Sequence, residues 1–359
     1  MPRSILAIAL LLAVVSSTVL TACPQPSSPV PTPAVSPPAP APSPPPPPPQ
    51  PKPTPTPPSI PTPAPSPTPK PTPTPSFATA QAAFDSGLDK LKANNPRGAI
   101  TDFSKAIELD PKMEIASLAK SATQKLLDKD YEGAISDLSK VIDLEPKNSK
   151  AYFARGLIRT SLFSSKRGTA SSSELYSINE AAISDFDNTI RLDSSNAEAY
   201  QQRAWWRLQI YDAATVSKVA TMALADANKA IELDPKMAEA YNGRAVIYTL
   251  QGKFDPAIAD YGKALELNPT SWAYTYNRGV LYGRKNQTDL AIADFTKAIE
   301  LAPNNARPYY SRAYYGYSVK SQWDLAIADL NKAIELSTDP NLTQQAKDQL
   351  VIMQRKKGS

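Results

Sequence analysis

The sequence predicts an all-α solenoid of stacked helix pairs, and three observations carry that prediction. A thirteen-residue segment, AITDFSKAIELDP from Ala99, returns in variant form from Ala134, Ala182, Ala223, Ala257, Ala291 and Ala326. Start-to-start spacings of 35, 48, 41, 34, 34 and 35 residues give a period of 34 with insertions in the middle. Each segment also sets apolar residues at helical spacing, as in Ala257, Ile258, Tyr261, Ala264 and Leu267. A fixed period in the thirties built from helices means a solenoid. One helix pair cannot bury its own apolar face, so units stack and leave a long concave surface.

The chain begins with a different kind of segment. Residues 1–22 have Arg3, an unbroken apolar run from Ile5 to Val15, and then small residues, the anatomy of a secretory signal peptide. Leu20-Thr21-Ala22-Cys23 resembles the lipobox of bacterial lipoproteins at all four positions. That resemblance implies cleavage before Cys23 and lipidation of its thiol, with palmitate-type acylation of the new amine. Two or more acyl chains make such an anchor stable. The expected location is therefore the bacterial cell envelope, lipid-anchored and extracytoplasmic. Pro24 stands where the family's inner-membrane aspartate signal would be, which favours the outer membrane in a cell with two membranes.

Residues 23–76 form the next element, holding 28 of the 38 prolines and no acidic residue. Proline fixes φ and removes backbone donors, so a disordered, extended linker is expected. It reads as a spacer, with a proline-binding ligand or a glycosylated stalk as the alternatives. The remaining chain has 36 basic against 34 acidic residues, so the pI near 9.0 is no nucleic-acid footprint. No histidine and one cysteine remove the common bases, nucleophile pairs and metal clusters. No enzyme activity and no cofactor or metal is expected.

Within residues 77–338 each thirteen-residue segment follows a helix that carries a small residue: Gly87, Ala122, Gly156, Ala204, Ala245, Gly279 or Ala313. Tyr152, Tyr200, Tyr241 and Tyr309 precede it by four. Gly252 ends one helix, Asp255-Pro256 opens the next, and Pro111, Pro146, Pro235, Pro269 and Pro303 close units. This set resembles the tetratricopeptide repeat (TPR), which implies a right-handed superhelix of about seven helix-turn-helix units. The first two units lack the leading aromatic, and the third and fourth are longer between their small residue and second segment. The third unit's insertion, Thr160–Glu180, reads as a polar flexible loop. Arg155, Arg203, Arg244, Arg278 and Arg312 recur before the small residue, and an Asp recurs in every second segment. They read as structural interhelix pairs. Residues 339–359 place Leu342, Ala346, Leu350 and Met353 on one stripe, a capping helix and tail.

In the TPR family the first helix of each pair lines the groove. Carried over by register, that face holds Phe153, Gln201, Trp205, Asn242, Tyr276, Arg284, Arg307, Tyr310, Tyr314 and Tyr317. The rings suit a peptide, and the Lys and Asn of the family's carboxylate clamp are absent at its positions. The expected function is a membrane-anchored TPR scaffold for protein–protein interaction, with an unidentified protein or peptide as partner. The alternatives are a structural envelope lipoprotein tethering layers, or a solenoid binding glycan or peptidoglycan.

Overall fold

The structure, a computed structural model, describes residues 77–209 and 216–358. The expected signal peptide, Cys23 and the Pro-rich linker lie outside the described residues. Those residues form helices in a repeat arrangement, with no strand among them. The first pair is α1 (Ala80–Lys92) and α2 (Pro96–Leu109), followed by α3 (Glu114–Leu127) with α4 (Tyr131–Leu144). Next come α5 (Ser149–Lys166) with α6 (Ser172–Leu192), and α7 (Ala197–Arg207) with α8 (Val216–Leu233). Then follow α9 (Ala238–Leu250) with α10 (Phe254–Leu267), and α11 (Trp272–Arg284) with α12 (Thr288–Leu301). The seventh unit is α13 (Ala306–Ser311), continued by a π-helical turn (Arg312–Tyr317), with α14 (Trp323–Leu336); α15 (Pro340–Gly358) ends the chain. Units are numbered 1 to 7 in that order, and each packs on the next.

Packing within a unit is a matter of fit between one small and one large residue. Gly87 and Gly156 face Phe103 and Phe186, whose ring carbons lie 2.4 and 2.8 Å from where a Cβ would stand. In units 2 and 7 the opposing residues are Leu138 and Leu330, and Ala122 and Ala313 serve instead. The turn between the helices is equally regular. Asn94, Lys129, Gly252 and Asn286 all take positive φ, between 53° and 72°, seven residues after the small residue. A left-handed residue there ends one helix and lets the next fold back.

Two departures from the sequence reading have physical causes. Thr160–Glu180 is not a loop: α5 and α6 extend to 18 and 21 residues and leave only 167–171 between them. The serines that suggested a loop bond back to their own helix, as Ser164 Oγ does to the Thr160 carbonyl at 2.9 Å. Ser171 then caps α6 by accepting from the Glu174 backbone N–H. In unit 7, Ala313 to Ala326 is 13 residues, where Ala245 to Ala257 is 12. The extra residue is absorbed as the π turn, a form that re-aims the side chains around it.

Helix α15 occupies the place of an eighth first helix. Leu342, Ala346 and Met353 are buried, and Leu350 packs beside them against the apolar edge of unit 7. Its end repeats the contacts that link earlier units: Lys357 pairs with Asp324 as Lys285 does with Asp255 and Lys320 with Asp289. Lys356 stands over Trp323 as Arg284 stands over Phe254.

Candidate functional site

Two systems of side chains stand on the first helices, a repeated ion pair and a set of aromatic rings. The first is the repeated Arg–Asp pair, which the structure bears out in every unit that has the arginine. Asp260, Asp294 and Asp329 each accept from both Nε and Nη2 of Arg244, Arg278 and Arg312, at 2.7–2.9 Å. Units 3 and 4 add a second guanidinium: Arg155 and Arg159 hold Asp185, and Arg203 and Arg207 hold Asp226. Units 1 and 2 substitute Ser86 with Lys90 on Asp102, and Ser121 with Lys125 on Asp137.

The same arginines clasp the preceding unit. Arg155 reaches Ser139, Arg203 reaches Asp187, Arg244 reaches Asn228 and Arg312 reaches Thr296, at 2.7–2.9 Å. Unit 6 has no such partner, because the matching position is Gly262 and the Arg278 Nη1 lies 4.0 Å from where its Cβ would be. Burial presses Arg159 and Arg207 below the usual guanidinium range, the bond to each Asp only partly offsetting it. Hydrogen bonds to Asp260 and Asp294 hold Arg244 and Arg278 above it. Burial pushes Asp137 up, but its bonds from Lys125 and Ser121 outweigh this and hold it low.

The groove residues read from the sequence do not form one surface. Phe153, Asn242 and Tyr310 are core residues, with 3 %, 4 % and 6 % of their surface exposed. Phe153 packs on Phe186 and under the Lys92 ammonium. Gln201, Trp205, Tyr276, Arg284, Arg307, Tyr314 and Tyr317 are half-buried. Trp205 wedges between two apolar clusters, and Arg284 and Tyr317 stand against Phe254 and Arg312.

Three of the ten do come together, at units 6 and 7. Trp272, Tyr276, Phe295, Tyr315, Tyr314 and Tyr310 form an unbroken ladder, with successive ring centroids 5.0–6.3 Å apart. Tyr310 and Tyr314 lie parallel within 7°. The Tyr276 hydroxyl is 3.2 Å from Ser311 Oγ, tying α11 to α13. Phe295 is fully buried and anchors the ladder, while Trp272, Tyr276, Tyr314 and Tyr315 are half-buried. Sequence reasoning missed Trp272 and Tyr315. The signals were the extra residue in unit 7 and Gly283, where any Cβ would lie 2.7 Å from the Tyr315 ring. The arrangement offers flat apolar faces edged by hydroxyls, a surface for contact rather than for acid–base chemistry. Among the described residues no cluster of acidic groups suits a metal ion.

Comparison with known proteins agrees with this architecture. A family model, "Tetratricopeptide repeat", matches residues 238–271 and 274–305, units 5 and 6. The Cut9–Hcn1 hetero-tetramer of the APC/C is similar at a TM-score of 0.52 and 17 % identity, over 74 % of this chain and 48 % of that one. A tetratricopeptide repeat protein from Parabacteroides merdae is similar at TM-score 0.48 and 16 % identity, over 77 % and 98 %. YrrB, described as a TPR protein with an unusual peptide-binding site, is similar at 0.43 and 20 %, over 59 % and 97 %. No curated protein sequence matches significantly. The chain carries tetratricopeptide repeats, and its fold is a tetratricopeptide solenoid.

Proposed function

We propose that this chain is a lipid-anchored, extracytoplasmic scaffold of the bacterial cell envelope that holds a protein or peptide on the ladder of units 6 and 7. The observation that carries the binding role is the continuous ring ladder, in which Trp272, Tyr276, Tyr315 and Tyr314 are half-buried around the buried Phe295. Rigid aromatic side chains bury much area at low entropic cost, and such anchors dominate binding energy. The anchor is Cys23, by the LTAC motif, and the Pro-rich linker spaces the solenoid from the membrane, preferably the outer one.

The binding role is tested with partners captured from envelope extracts on the full-length protein. Tyr276→Ala with Tyr314→Ala should weaken the captured interaction about thirtyfold, the effect of losing an aromatic hot spot. Unchanged capture would move the function to the linker and favour a tether. The anchor is tested by Cys23→Ser, which should release the protein from membranes; persistent membrane attachment contradicts it.

A further inference from the structure

Helix α1 breaks the pattern of the solenoid. It packs against α5, two units on, and among the described residues no other pair of first helices so separated packs this way. Its last turn reaches further still. Lys92 Nζ lies 5.7 Å from the centre of the Phe153 ring and 2.6 Å from Glu198 Oε2 of α7, in unit 4. Lys150 of α5 reaches back to Asp89 at 2.8 Å. The intervening helix explains the approach: α3 has buried Ala119 at the register where α1 has Phe84 and α5 has Phe153. With only a methyl group there, the flanking helices close over it.

Two forces of different strength hold this closure. Leu91 is buried in one cluster with Ala151, Ala154 and Ile158 of α5. The charged side chains are partly open to solvent, 34 % and 44 % for Lys92 and Glu198 and 40 % and 56 % for Lys150 and Asp89, although Glu198 Oε2 itself is shielded from it. Glu198 Oε2 approaches Lys92 without aligned hydrogen-bond geometry, so that contact is electrostatic alone. A cleft of about 570 Å³, with Asp85, Glu145, Lys147 and Lys150 on its walls, brings solvent to the seam. The Lys150–Asp89 pair, open to solvent, contributes about 1 kcal/mol or less and is screened by salt, and the half-buried Lys92–Glu198 contact is screened less.

We propose that α1 is a salt-sensitive latch over the first helices of units 3 and 4, whose release bares the face of Phe153 that lies under Lys92, the ring's contact with Phe186 remaining. The Lys92–Glu198 contact fastens it, and the apolar seam around Leu91 sets where it closes. While closed, it denies the first half of the groove to a ligand. This stands whether or not the aromatic ladder binds a partner.

Hydrogen exchange on the full chain tests it. Lys92→Glu sets like charges against Glu198, so amide exchange in 80–92 and 149–157 should rise about threefold or more. Adding Glu198→Lys restores the attraction and should return exchange to the wild-type rate. Salt at about 1 M should reproduce the rise in the wild-type chain. Exchange in 254–301 should stay constant throughout, which separates local release from general destabilisation. Unchanged exchange in α1 and α5, failure of the charge swap to rescue, or an equal rise in all helices would each overturn the latch.

Discussion

Units 3 and 4 and units 5 and 6 share one backbone plan, with longer second helices in the first two, and diverge as pairs three residues after the small residue. In units 3 and 4 that position is Arg159 or Arg207, a second guanidinium on the same buried aspartate. In units 5 and 6 it is Tyr248 or Tyr282, whose ring lies 6.0 or 5.8 Å from the single arginine. That exchange trades a second guanidinium for an aromatic ring, while the first arginine stays on its aspartate in all four units. The rings of the groove register differ as well: Phe153 in the first half is buried, while Tyr276 and Tyr314 in the second are half-buried. Repetition fixes the fold, and departures from repetition distribute the function.

The largest effect expected from this comparison is on the charged struts. Asp185→Ala strands Arg155 and Arg159 together, both more than four-fifths buried, and should cost about 3 kcal/mol or more. Asp294→Ala strands only Arg278, which is 26 % exposed, and should cost distinctly less. Urea unfolding followed by circular dichroism measures both. Equal losses would mean that the second guanidinium adds nothing. A smaller effect of opposite sign is expected at Gly262, the missing clasp of unit 6. Gly262→Ser supplies a hydroxyl toward Arg278 and removes a helix glycine, and should stabilise by about 1 kcal/mol. The same unfolding measurement checks it; destabilisation would show that the space there is needed empty.

Much of this was legible in the sequence because the repeat states each contact several times. The Arg–Asp pairs follow from fixed places in the repeat, the Arg just before the small residue and the Asp in the second segment, and the cap follows from the stripe through Leu342 and Met353. What was not legible depends on distant contacts or on single exceptions. The meeting of α1 and α5 joins residues far apart in the chain, 61 positions in Lys150–Asp89, and no repeat of the pattern states it. Register alone assigned Phe153, Asn242 and Tyr310 to a surface that neighbouring packing removes. The ladder needed one extra residue in unit 7, whose π turn brings Tyr315 onto Phe295 and over Gly283.

The central claim is that binding belongs to the aromatic half and not to the latched half. Its most direct test compares two variants of the full-length protein against one captured envelope partner. Tyr276→Ala with Tyr314→Ala removes two rungs of the ladder, and Trp205→Ala removes the half-buried ring of unit 4. Binding about thirtyfold weaker is expected for the first and wild-type binding for the second. Loss of binding in Trp205→Ala alone, with the double tyrosine variant unaffected, would contradict it.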